Sequence, residues 1–229
     1  MISNYLDALA DALSFDQSLS RRVRQEVQDH LRESVAADPI DDRLEAERHA
    51  VANFGDPHVL AAQFAVVSLA RRTRRIGVAV ALAIAGVFGA MKARVAWYGV
   101  VQWTTDEEAR ALGAKVLSID RFGFWSAVVV GLGALGYINR DRIPAGYHPG
   151  CRKELRRALL LCVSATGFLV VSVMSDGVLT ALRLGTDLCP ASVIPIISMA
   201  IEIICVGVVV FLILDTMRRR AAMEALLRR

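Results

Sequence analysis

The sequence predicts an all-α protein in which a small N-terminal helical bundle precedes a four-helix transmembrane bundle. Three observations carry that prediction. Through the first 70 residues apolar side chains recur every third or fourth position, the period of a helix with one buried face. Beyond them come four long apolar stretches, and 55% of the chain is hydrophobic, which is high for a soluble domain. Charge divides at the same place. Up to Ala70 there are twelve acidic and six basic residues; from Arg71 onward there are eleven acidic and twenty-one basic. An acidic head therefore precedes a basic body, and an acidic head is poorly suited to gripping nucleic acid, whose phosphates need a basic face.

The first predicted helix carries Tyr5, Leu6, Leu9 and Leu13 after Ser3 and Asn4, either of which could cap it. MISNYLDALADAL lacks a basic leading region and a cleavage site, so it does not read as a secretory signal. The second helix has Leu19, Val23, Val27, Leu31 and Val35 on one stripe. Ala37-Asp38-Pro39 ends it, because proline lacks an N–H and restricts its predecessor. Asp42 followed by Glu45 matches a capping box for a third helix, with Leu44, Ala50, Val51 and Phe54 on the side expected to be buried. The stretch NFGDPHVLAAQF (53–64) then reads as a helix-to-helix corner. Gly55 supplies the left-handed residue past a helix end, Asp56 caps the next helix, and Pro57 occupies its first position. Val59, Leu60, Phe64 and Val67 give this fourth helix an apolar side. The corner is expected to be structural, with no chemistry of its own.

YLDALADAL (5–13), VRQEVQDHLRES (23–34) and FGDPHVLAAQF (54–64) together resemble the HAAS-type helical domain, with Phe54 where that family usually has leucine before the glycine. The resemblance covers about the first 65 residues. It implies a bacterial signalling or regulatory module, often placed ahead of several membrane spans and often encoded beside transcription regulators of the PadR class. It brings no catalytic residue with it.

The expected organisation is a cytoplasmic helical module over 1–70, a membrane domain over 71–217 and a basic tail over 218–229. Ile76–Met91 is a nearly uncharged run of about 24 Å at 1.5 Å per residue, somewhat short of a hydrocarbon core. The first span is therefore extended to about 76–98, with Lys92 and Arg94 snorkelling outward and Trp97, Tyr98 and Trp103 as an interfacial belt. Further spans are expected over about 122–138, 158–179 and 192–214. Gly131, Gly133 and Gly136 in the second permit close helix contact, and Pro195 in the fourth can kink its outer end. Between them, 102–121 is expected to be an outer polar segment holding a short helix. Basic residues cluster before span one (Arg71, Arg72, Arg74, Arg75), between spans two and three (Arg140, Arg142, Arg152, Lys153, Arg156, Arg157) and after span four (Arg218, Arg219, Arg220). Placing all three clusters inside puts both termini in the cytoplasm of a bacterial inner membrane. The tail RRRAAMEALLRR reads either as a basic helix lying on anionic lipid or as a plain topology anchor.

Glu202 stands near the middle of span four, where a carboxylate is costly unless paired, protonated or facing water. Lys92 is its expected partner if spans one and four adjoin. Two readings stay open for the pair: a packing contact, with Ser172 or Ser164 as alternative partners for the acid, or a sensor of proton motive force, ligand or lipid. Asp176 is expected at the interface rather than in the interior. Cys151, Cys162, Cys189 and Cys205 have no metal or disulfide spacing, and Cys162 and Cys205 read as small packing residues. His30, His49 and His58 lack the i, i+4 ligand pattern. No catalytic residue, cofactor site or metal site is expected.

These features lead to the expectation of a non-enzymatic, anti-sigma-like regulatory protein. Its acidic module would bind a cytosolic transcription regulator or sigma-type factor, and the helix from Pro57 into span one would carry the coupling. The expected partners are membrane lipid and that regulator, with no direct nucleic-acid binding and with a homo-oligomer left open. The alternative is a small transporter, or an accessory subunit of one, with the module as a regulatory prefix.

Overall fold

The computed structural model of the chain describes residues 1–40, 42–101, 107–139, 151–184 and 192–226. Trp103, Arg140, Arg142, Asp187 and Cys189 lie outside these. Among the described residues are seven α-helices and no strand: α1 (Ile2–Ala12), α2 (Gln17–Ala37), α3 (Arg43–Phe54), α4 (Pro57–Val101), α5 (Glu107–Asn139), α6 (Cys151–Leu184) and α7 (Val193–Leu226). They fall into two compact units. One takes in Met1–Arg72 and the described residues of Pro144–Arg152 and Asp215–Arg229; the other takes in those of Thr73–Ile143 and Lys153–Leu214.

In the first unit α1, α2 and α3 pack on one another. The expected stripe of α2 is its buried face, with Leu19, Val23, Val27 and Leu31 no more than 3% exposed and Val35 packed at the edge. Leu6 and Leu9 of α1, with Leu13 just past its end, and Ala50 and Ala61 from α3 and α4 complete this core. Asp16 caps α2 by accepting from the backbone N–H groups of Ser18 and Leu19, and α2 stops at Ala37, before Pro39. The start of α1 differs from expectation: its N-cap is Met1, without a side-chain cap, so Ser3 and Asn4 lie inside the helix. Asp42 does cap α3, accepting from Leu44 N–H at 3.0 Å. Leu44 itself is exposed, as is Val59. The helical phase of α3 is set by Ala46 and Ala50, whose small side chains let the backbone approach the core, and Leu44 falls off that stripe.

The second unit holds four helices long and apolar enough to cross a membrane: α4, residues Ala111–Asn139 of α5, Lys153–Arg183 of α6 and Val193–Ala221 of α7. Mean hydropathy of their best windows runs from 1.4 to 2.9, with 28–44% of each window buried. That combination suits rods that share a thin internal core and turn most of their apolar surface to lipid. The chain is accordingly a multi-pass membrane protein. The internal core joins Ile76, Val80, Ala83 and Val87 of α4 to Ala127, Ala165, Leu169 and Val209 of the other three helices.

Close approach in this core rests on particular glycines. A Cβ on Gly131 would sit 2.7 Å from Ile84 Cδ1, whereas Gly133 and Gly136 have nothing within 4 Å. Of the three glycines expected to mediate contact, Gly131 is the one that does. Gly123 was not singled out, yet a Cβ there would lie 3.2 Å from both the Phe168 carbonyl and the Ser172 nitrogen.

Two helix boundaries depart from expectation. Residues from Glu107 onward, expected as an outer polar segment, belong to α5. Asp120 is 2% exposed and accepts from the Ser172 hydroxyl at 2.6 Å, so this polar stretch is anchored inside the bundle. The basic tail is likewise the end of α7, which runs unbroken to Leu226. Pro195, expected to be able to kink the outer end of span four, lies in the first turn of α7, where its missing N–H has no partner to lose.

Candidate functional site

The buried stripe of α4 runs Ile76, Val80, Ala83, Val87 and Ala90, spaced alternately four and three residues apart. The next position in that rhythm is Arg94, whose side chain is 2% exposed. Its burial and its partners on α6 and α7 turn its guanidinium into the bundle instead of letting it snorkel to a surface. One of its terminal nitrogens donates to Thr180 Oγ1 at 2.9 Å. The other donates to both Asp176 Oδ2 on α6 and Glu202 Oε1 on α7. A guanidinium suits this task because its donors are fixed in one plane and keep their charge in any protein environment.

Glu202 is fully buried. Its second oxygen, Oε2, has no hydrogen-bond partner among the described residues. Ser198, one turn earlier, lies 2.8 Å from the Ala90 carbonyl and 3.5 Å from Glu202 Oε1. A hydroxyl has one proton to donate, and the shorter contact takes it. Asp176 is 13% exposed and pairs with Arg94. It is therefore part of an interior cluster rather than an interfacial acid as expected, because Arg94 offers it a cation on the inner face of α6.

Lys92 is not Glu202's partner. Two residues from Arg94 on the helix, it points out of the bundle, with Nζ 5.4 Å from the Phe88 ring centre. Ser172, considered for Glu202, bonds Asp120 instead. The cluster thus contains Glu202, which sequence reasoning singled out, and Arg94, which it assigned to the membrane surface. The signal that finds Arg94 is phase: it continues the stripe from Ile76 to Ala90, and Lys92 does not.

A second charged cluster lies in the first unit. Asp16 uses Oδ1 to cap α2 and Oδ2 to receive Arg72 at 2.7 Å and Arg219 at 3.3 Å. Asp215 receives the same two arginines, at 3.3 Å and 2.9 Å. Burial pushes the Asp16 carboxyl up, but hydrogen bonds from the Ser18 hydroxyl and the Leu19 N–H and the Arg72 guanidinium outweigh it and hold it below the usual carboxylate value. Arg72 and Arg219, expected only as topology charges, are thus structural residues of this unit. At the corner Gly55 has φ +79° with ψ −158°, a positive-φ extended conformation in place of the left-handed helical one expected, Asp56 accepts from His58 N–H at 2.8 Å, and α4 begins at Pro57. These three residues shape the chain and meet neither cluster.

Comparison with protein-family models, with curated proteins and with solved structures finds no significant match to this chain.

Proposed function

We propose that the chain is a non-enzymatic regulatory protein of a bacterial inner membrane, with both termini in the cytoplasm, whose acidic helical module binds or sequesters a cytosolic transcription regulator or sigma-type factor. The observation that carries this reading is the surface of the first unit. Its apolar core is closed, and over residues 1–70, where twelve acids outnumber six bases, Asp7, Asp11, Glu26, Asp29, Glu33 and Glu45 are exposed alongside Arg21, Arg22, Arg24, Arg32, Arg43 and Arg48. Leu44 and Val59 stand among the exposed residues of the same unit at 61% and 56%. Apolar anchors on an acidic surface suit a basic protein partner better than nucleic acid. The HAAS-type resemblance supports the same conclusion.

The test is capture from cytosolic extract with the full-length protein in lipid nanodiscs at low salt. A retained regulator that is lost on joint Asp29→Arg and Glu33→Arg substitution supports the proposal. Retention of no regulator, or retention unaffected by the substitutions, contradicts it. Coupling through α4 is tested by inserting Gly-Gly-Pro after Leu69. An abolished response with normal membrane insertion is expected, and an unchanged response removes α4 as the route.

The Arg94–Asp176–Glu202 cluster favours a second reading, a small transporter or an accessory of one, since interior ionisable groups often mark ion pathways. That reading requires Glu202→Gln to abolish flux in proteoliposomes.

A further inference from the structure

We infer that the Arg94–Asp176–Glu202 cluster is a proton-binding site, holding one exchangeable proton on its two carboxyl groups. This does not rest on the regulatory reading. Both carboxyls reach the same guanidinium nitrogen, so they stand side by side around a single positive charge. Asp120, buried on α5, stands apart from this pair and accepts from the Ser172 hydroxyl at 2.6 Å. The charged groups facing Glu202 are then Arg94 from α4 and Asp176 from α6, with Asp120 on α5 held by Ser172, so two carboxyls share one cation. Two adjacent carboxylates with one counter-charge do not both stay ionised in a low-dielectric interior; the pair takes up a proton as a unit.

A second observation points the same way. Glu202 Oε2 is buried, and no side chain or backbone donor among the described residues reaches it. A carboxylate oxygen left without a donor at membrane depth is costly, whereas a protonated one carries no charge. A metal cation fits poorly, because it would sit against the Arg94 guanidinium. Moreover, among the described residues no three His, Cys, Asp or Glu side chains converge as a metal would need. Asp176 is the member with some exposure, 13%.

Infrared difference spectroscopy on the full-length protein in lipid nanodiscs, in water and in D2O, tests this directly. At neutral pH a protonated-carboxyl carbonyl band that shifts in D2O is expected. Glu202→Gln and Asp176→Asn should each abolish it, because either amide leaves a single carboxyl bonded to Arg94. Arg94→Met should raise it about twofold, since both acids then stay neutral. The absence of the band in the unaltered protein, or its persistence in both amide variants, overturns the proposal. So does loss of the band when sodium replaces choline as the medium cation, which would make the site a metal-cation site. If one amide variant does not fold, the other decides.

Discussion

Lys92 and Arg94 are two residues apart on α4, and helical phase sends one outward and the other into the bundle. The consequences for substitution differ accordingly. Arg94→Met strands the buried Glu202 and the partly buried Asp176 and is expected to cost about 3–5 kcal/mol, less whatever is recovered by protonation. Lys92→Met should stay within about 0.5 kcal/mol. Thermal unfolding of both variants in the same detergent checks the contrast, and equal losses would contradict the assignment. Asp16 offers a pH-dependent case. Asp16→Asn keeps the helix cap but removes the charge that meets Arg72 and Arg219, an expected loss of about 1–2 kcal/mol at pH 7. Because the folded carboxyl lies below its unfolded value of about 3.9, its contribution is complete above that value. It disappears as pH falls through the folded pKa. The gap between Asp16→Asn and the unaltered protein should therefore close in strong acid; a gap that widens there would refute the assignment.

Among the helices, glycine tests packing against conformation. Gly123 faces the backbone of α6 at Phe168 and Ser172, so it cannot be relieved by a rotamer change. Gly123→Val should destabilise by about 1–3 kcal/mol through helix separation and loss of the Asp120–Ser172 bond. Gly133→Ala, in open space within a helix, should be neutral or stabilising by up to about 1 kcal/mol. Gly55 is the opposite case, with nothing within 4 Å and a positive φ. The expected loss for Gly55→Ala, about 1 kcal/mol, is purely conformational. Unfolding midpoints of the three variants separate these causes. The same helices show what the sequence made readable. The α2 stripe, its end before Pro39 and the Gly55-Asp56-Pro57 corner follow from local periodicity and backbone chemistry. The true starts of α1 and α5 do not. Met1 takes the cap position without a side-chain bond, and the polar start of α5 continues into a helix held by Asp120, whose partner is fifty-two residues away.

For the molecule as a whole, local pattern was enough to read four spans and an acidic helical head, because length and hydropathy are properties of each segment alone. The interior site was only half readable. Glu202 announced itself as an acid in an apolar run, but choosing Arg94 over Lys92 required the phase of the entire buried face of α4, and Asp176 became an interior residue only through Arg94. The basic clusters present a similar lesson. They were read as topology signals, and Arg72 and Arg219 prove also to bind Asp16 and Asp215.

The regulatory account needs the acidic module to face the cytosol. Single cysteines placed at Glu33 and at Met223, in a chain with its native cysteines replaced, can be probed with a membrane-impermeant thiol reagent before and after lysis of intact cells. Both sites labelled only after lysis is the predicted result. Labelling of the Glu33 site in intact cells, or of one site without the other, would contradict it.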